Sequence, residues 1–139
     1  MSAAFTLVDR LPTVAEFQQL RESAGWTRVA DDAVARALHQ TLFAVCLEQD
    51  GQLVGSGRIV GDGAIYFYIQ DVIVLLPFRG TGGGKLIMSA LMEYLDRQVT
   101  GYAFVGLMAA KGVASYYEQF GFRPRPTDGP GMFLTLPRE

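Results

Sequence analysis

The chain has one cysteine, one histidine, one tryptophan and only two lysines in 139 residues. The first two shortages each exclude something. Cys46 lies in the apolar run Phe43-Ala44-Val45-Cys46-Leu47 and cannot close an internal disulfide, which fits a reducing compartment. No activating partner stands near it in sequence, so it reads as a small core residue and not as a nucleophile. A single histidine, His39, without clustered cysteines supplies no metal-ligand set, so no metal is expected. The longest apolar runs, such as residues 72–77, fall far short of the ~20 residues that span a bilayer. The N-terminus lacks a basic region followed by an apolar core. No membrane association is expected, and the cytoplasm is the expected location. Nor is there a basic stripe. The net charge is −2, the pI is about 5.4 and the basic residues are spread singly, which argues against nucleic acid as a partner. Repeats, low-complexity tracts and linkers are also missing, so residues 1–139 read as a single domain.

What is present is a core-forming composition, with 50% hydrophobic and 19% charged residues. A strand is expected over residues 5–8. Thr13-Val14-Ala15-Glu16 has the spacing of a capping box and opens a helix buried through Val14, Phe17 and Leu20. Asp31 and Asp32 are placed to cap a second helix, buried through Val34, Ala37 and Leu38. A meander follows: strand 43–47, an Asp50-Gly51 turn of type I′, strand 53–60, a turn at Gly61-Asp62-Gly63, and strand 65–76. The end of that last strand is continuously apolar, which predicts burial on both faces. Leu86, Ile87, Ala90, Leu91, Tyr94 and Leu95 then recur at helical spacing. A strand at 104–108 follows, then a short helix with Val113, Tyr116, Tyr117 and Phe120 inward, and a last strand at 132–136. This order predicts an α/β or α+β domain with a mixed sheet.

One stretch carries chemistry. Asp71-Val72-Ile73-Val74-Leu75-Leu76-Pro77-Phe78-Arg79-Gly80-Thr81-Gly82-Gly83-Gly84-Lys85 reads as a strand, a Gly-rich turn and the start of an amphipathic helix. Such a turn offers backbone N–H groups at the positive end of a helix dipole, an anion site that glycine keeps open, although structural turns use glycine too. A Walker loop fails, because Lys85 is followed by Leu86 and Arg79 stands where its first glycine belongs. A dinucleotide fingerprint fails, because Lys85 stands where its third glycine belongs. Arg-x-x-Gly-x-Gly does fit, as Arg79-Gly80-Thr81-Gly82-Gly83-Gly84. This stretch resembles the acyl-CoA signature of the GNAT superfamily of N-acetyltransferases. Tyr116-Tyr117-Glu118-Gln119-Phe120-Gly121-Phe122 is similar to a second segment of that family.

The resemblance implies a mostly antiparallel mixed sheet, splayed at the cofactor strand, with about four helices. It also implies roles. The backbone of Arg79, Gly80, Thr81, Gly82, Gly83, Gly84 and Lys85 would hold the pyrophosphate of acetyl-CoA. Val72, Ile73 and Val74 would pair with its pantetheine arm, and an N–H near Val74 would polarise the thioester. Tyr117 matches the family's proton donor to the leaving sulfur, with Tyr116 beside it as the alternative. Asp71 stands where the family often places a carboxylate that acts through water, or else it is structural. Arg58, Tyr66 and Tyr68 lie on strands that line the family's acceptor pocket, or else they pack across strands. Trp26 is a lid over the acceptor or a core residue. Ala110 replaces the asparagine that many members carry. The implied function is acetyl transfer from acetyl-CoA to a primary amine, most simply of a small molecule, by direct attack in a ternary complex. A homodimer is the implied assembly. A non-catalytic acetyl-CoA sensor and a protein acetyltransferase are the alternatives.

Overall fold

A computed structural model describes residues 4–137. The chain divides into two compact units, Met1–Met108 and Ala109–Glu139. The first unit holds β1 (Thr6–Val8), α1 (Val14–Ser23), α2 (Asp31–His39), β2 (Phe43–Gln49), β3 (Gln52–Gly61), β4 (Tyr66–Val74), a 3₁₀ turn (Leu76–Phe78), α3 (Gly83–Gln98) and β5 (Phe104–Gly106). Its strands form one open sheet in the order β1-β2-β3-β4-β5. Every pair is antiparallel except β4 with β5, which is parallel. The fold is thus α/β with a mixed sheet.

Local signals account for most of these elements. Thr13 and Glu16 close the capping box: the Glu16 N–H donates to Thr13 Oγ1 at 3.1 Å, and the Thr13 N–H donates to Glu16 Oε1 at 2.9 Å. Asp50 and Gly51 both take positive φ, 54° and 76°, as a type I′ hairpin requires. The turn at Asp62 is built on its carboxylate, whose Oδ1 accepts from the N–H groups of Ala64, Ile65 and Tyr66 at 2.8–3.0 Å. One expectation shifts at α2. Its N-cap is Ala30, without a side-chain bond, and Asp31 and Asp32 fall inside the first turn. There they meet the helix dipole, and Asp31 also accepts from Gln18 and Arg28.

β4 departs from expectation in length: it stops at Val74, with Ile73 buried and Val72 and Val74 partly buried. Leu76 lies beyond it, 67% exposed. On one face α3 packs through Ile87, Met88, Leu91 and Leu95, while Leu86 points to solvent. Tyr94 stacks on Phe43, with ring centroids 4.5 Å apart. On the other face Leu20 of α1 joins Cys46, Leu53 and Ile73, and Phe17 joins Val34 and Leu38 of α2. No helix among the described residues is long and apolar enough to cross a membrane.

The second unit contains the short helix α4 (Ala114–Glu118). Gly121, at φ 95°, follows its end. Tyr116, Tyr117 and Phe120 are half-buried, but Val113 is exposed. The strand expected over residues 132–136 does not form, and Met132, Phe133, Leu134 and Leu136 are exposed. A strand exists only by its ladder, and that segment has no ladder partner among the described residues.

Candidate active site

The site grows out of a bulge in β4. Ser56 faces Ile73 across the β3–β4 ladder, and Arg58 faces Gln70. β3 advances two residues between these pairs while β4 advances three, so one extra residue is inserted there. Asp71 takes up the difference with φ 59°, the left-handed region that aspartate tolerates better than most residues. The insertion turns the strand's faces over. Below it, Ile69 pairs with Ile59. Above it, Val72 and Val74 approach Gly57 and Gly55 on the α3 side, while Ile73 packs with Leu20 on the α1 side. Asp71 therefore shares a face with Arg58.

These two form a buried ion pair. Arg58 Nε donates to Asp71 Oδ2 at 2.8 Å, with the side chains only 12% and 7% exposed. Gln70 Nε2 donates to the other oxygen, Oδ1, at 3.2 Å. Arg58 also donates to Thr41 Oγ1 at 3.0 Å and to the Ala37 carbonyl. Sequence reasoning missed Gln70 and Thr41: polar residues of ordinary spacing carry no signal of a shared partner. A cavity of about 10 Å³ lies between α1 and the bulge, lined by Phe17, Leu20, Arg21, Arg58, Asp71 and Ile73. It has room for about one water.

At the other end of β4 the chain enters the Gly-rich turn. Arg79 Nε donates back to the Val74 carbonyl at 2.8 Å, and the Thr81 hydroxyl donates to the Phe78 carbonyl. Gly82 is the N-cap of α3, left-handed at φ 90°, with no side-chain cap. The amides of Gly83, Gly84 and Lys85 occupy the first turn, where an α-helix supplies no internal acceptor. The helix follows directly, so its dipole adds to these donors. Tight packing holds the turn in place: a Cβ on Gly83 would stand 2.6 Å from Leu47 Cδ2.

The expected acceptor residues differ in exposure and in what they touch. Tyr68 is half-buried, and burial, then the Asp71 charge, pushes its hydroxyl pKa up. Tyr66 is 56% exposed and tilts against Phe104 at 6.5 Å. Trp26, 40% exposed, packs under the Arg21 guanidinium at 5.5 Å. Arg58 is turned inward and engaged. Cys46 is buried and its thiol is pushed up by that burial, the opposite of an activated nucleophile.

In the second unit the Tyr117 ring meets Tyr116 edge-on at 5.3 Å and Phe122 at 6.4 Å. Burial, and secondly the neighbouring Tyr116, raises the Tyr117 hydroxyl above its ordinary value. The Tyr116 hydroxyl is buried without a hydrogen-bond partner among the described residues.

Comparisons with known proteins bear on the family and the fold. The family model for the acetyltransferase (GNAT) domain matches residues 14–129. An N-acetyltransferase named ycf52, uncharacterised, from Pyropia yezoensis is 32% identical over 122 residues, covering 85% of this chain and 69% of that protein. The crystal structure of a protein of unknown function from meticillin-resistant Staphylococcus aureus, described as a probable acetyltransferase, superposes with a TM-score of 0.88 at 32% identity, covering 95% of this chain and 99% of that one. An aminoglycoside N-acetyltransferase solved in complex with CoA shares the fold at 15% identity, with a TM-score of 0.70 and coverage of 99% and 98%. A strand with one inserted residue, followed by a glycine-capped helix start, is thus set within a fold and a sequence that both point one way: the chain belongs to the GNAT acetyltransferases.

Proposed function

We propose that the chain moves an acetyl group from acetyl-CoA to the primary amine of a small molecule, by direct attack in a ternary complex, as a single domain over residues 1–139. The observation that carries this reading is the helix start at Gly82, which presents the amides of Gly83, Gly84 and Lys85 beyond an open glycine cap. These donors suit the pyrophosphate, and Val72, Ile73 and Val74 suit the pantetheine arm. An N–H near Val74 then meets the thioester oxygen, where a fixed donor stabilises the developing charge.

The step balances simply. The amine nitrogen bonds to the carbonyl carbon, the carbon–sulfur bond breaks, the amine gives up a proton, and the sulfur gains one. An alkyl amine with a pKa of ~10.4 is neutral in about one molecule in 2,500 at pH 7, so a proton acceptor is useful. Asp71, beside a cavity with room for one water, serves in this reading by orienting that water. Tyr117 supplies the proton to sulfur. A thiol like cysteine's, with a pKa near 8.5, needs only modest help. Trp26, Tyr66 and Tyr68 border the acceptor. Cys46, buried with its thiol pushed up, offers no covalent route. The reading includes a homodimer in the cytoplasm.

The test is free-thiol release from acetyl-CoA across a panel of amines, amino acids and peptides. Release that depends on a small amine supports the reading. Release only with peptides moves the acceptor to protein. Binding of acetyl-CoA without release from any acceptor favours a sensor.

A further inference from the structure

Arg58 is a buried and multiply bonded side chain of the first unit, and the acetyl transfer proposed above gives it nothing to do. It sits on β3, between Ala44 of β2 and Gln70 of β4. Its guanidinium reaches three ways. It donates to Asp71 Oδ2 at 2.8 Å, to Thr41 Oγ1 at 3.0 Å and to the Ala37 carbonyl. It also lies over the Phe17 ring at 5.7 Å. Ala37 belongs to the last turn of α2, the negative end of the helix dipole, which attracts cations. One side chain therefore ties the end of α2 and a ring of α1 to the inserted residue of β4.

That residue is unusual in being left-handed without being glycine. Such a conformation persists only when its surroundings hold it. The Asp71 side chain is fixed at both oxygens, by Arg58 and Gln70. The bulge, in turn, decides which way the amides of Val72, Ile73 and Val74 point.

We propose that Arg58 is a positioning residue: acting through Asp71, it holds the β4 bulge, and so aims the amides of residues 72–74 at the acetyl donor. The inference rests on the proposed transfer along β4, and it takes Arg58 out of the set of acceptor ligands. The planar fork matters, because an ammonium cannot bridge Asp71, Thr41 and Ala37 together.

The experiment pairs amide hydrogen exchange with steady-state kinetics on the full chain, for wild type, Arg58→Met, Arg58→Lys and Thr41→Val. In Arg58→Met, exchange over residues 70–74 should rise, while exchange over residues 83–87 stays as in wild type. Its kcat should fall about ten- to a hundredfold, with KM for acetyl-CoA within about threefold, because misaimed groups cost turnover and leave the pyrophosphate cradle intact. Arg58→Lys should recover part of the loss. An ion pair that only stabilises the fold would lower the melting temperature and leave kcat unchanged well below it. Wild-type kcat in folded Arg58→Met, or unchanged exchange over residues 70–74, overturns the proposal. Should Arg58→Met not fold, Thr41→Val removes a single acceptor and is read the same way: a smaller shift in the same direction supports the proposal, and no change in either readout overturns it. Absence of acetyl-CoA turnover in wild type sinks the proposed transfer, and the exchange data still decide whether Arg58 holds the bulge.

Discussion

Gly57 and Ile87 meet where the sheet passes under α3: a Cβ on Gly57 would lie 2.7 Å from Ile87 Cγ2, with Leu91 Cδ1 and Val72 Cγ2 at 3.2 Å. Ile87 and Leu91 are completely buried, and isoleucine is stiff at χ1. Neither has room to yield, so the helix would have to lift. Gly57→Ala should destabilise the fold by ~1–3 kcal/mol, as overpacking does. Urea unfolding reads this directly. A wild-type midpoint would show that the contact is slack.

Gly82 poses the opposite case. Nothing lies within 4 Å of a Cβ there, yet φ is 90°. The obstacle is conformational, and alanine in this region costs about 1–2 kcal/mol. Gly82→Ala should weaken CoA binding several-fold in calorimetry, because the helix-start amides lose their aim. Gly82→Asn should do less harm, since asparagine visits that region more readily. Equal affinities for wild type and both variants would remove the turn from the binding site.

The adjacent tyrosines should behave differently. Tyr116 buries a hydroxyl with no partner among the described residues, so Tyr116→Phe removes an unmet polar group and should be neutral or stabilising by about 1 kcal/mol. Tyr117→Phe should lower kcat about a hundredfold if its proton reaches the sulfur. Burial, then Tyr116, raises the Tyr117 hydroxyl. It therefore stays protonated through the physiological range, and the stability tied to that proton is present below pH 10 and lost above. The wild-type pH–rate profile should show no basic limb from Tyr117 below about pH 10. A limb near pH 8–9 that disappears in Tyr117→Phe would contradict this.

Asp71→Asn separates shape from charge. Asparagine accepts a hydrogen bond from Arg58 and tolerates a positive φ. The fold should therefore persist, with unchanged near-UV circular dichroism. If the carboxylate orients the water that takes the amine's proton, kcat should drop about a hundredfold. Full activity would leave Asp71 the shape of the bulge and nothing more.

Acid should loosen α1. The Arg10 guanidinium, bonded to Glu16 at 2.8 Å, holds that carboxyl below its usual range, against an opposing effect of burial and with help from the Thr13 N–H. A lowered value means that the native state favours the charged form. The resulting stability is present above the unfolded value of about 4.3 and is lost as pH falls through the folded one. Wild type should lose more stability between pH 5 and pH 2 than Glu16→Gln, measured by thermal melts. Thr13→Ala should cost about 1 kcal/mol at pH 7.

Much of this protein is local and therefore legible. Thr13 and Glu16 announce the capping box by spacing alone, Asp50-Gly51 announces the hairpin, and the glycines before Lys85 announce the helix start, because each depends on neighbours within a few residues. The stripe from Ile87 to Leu95 needs only the helical period. The last strand fails for the complementary reason. Residues 132–136 have strand-like composition, but pairing is not a property of the segment that pairs.

The bulge lies beyond sequence reading altogether. Period-two alternation through residues 66–74 assigns faces correctly up to Gln70 and inverts them afterwards, because one inserted residue flips everything beyond it. Only the ladder shows that Ser56 meets Ile73 while Arg58 meets Gln70. In sequence Arg58 accordingly reads as a pocket residue or a cross-strand packing residue, and the fold adds its bonds to Thr41 and Asp71. The sequence by itself determined the family, the order of the elements and the glycine-capped turn, all encoded by short-range spacing. The tertiary structure decided which face of β4 carries Asp71 and what Arg58 is bonded to, because both depend on register between strands, which no single segment contains.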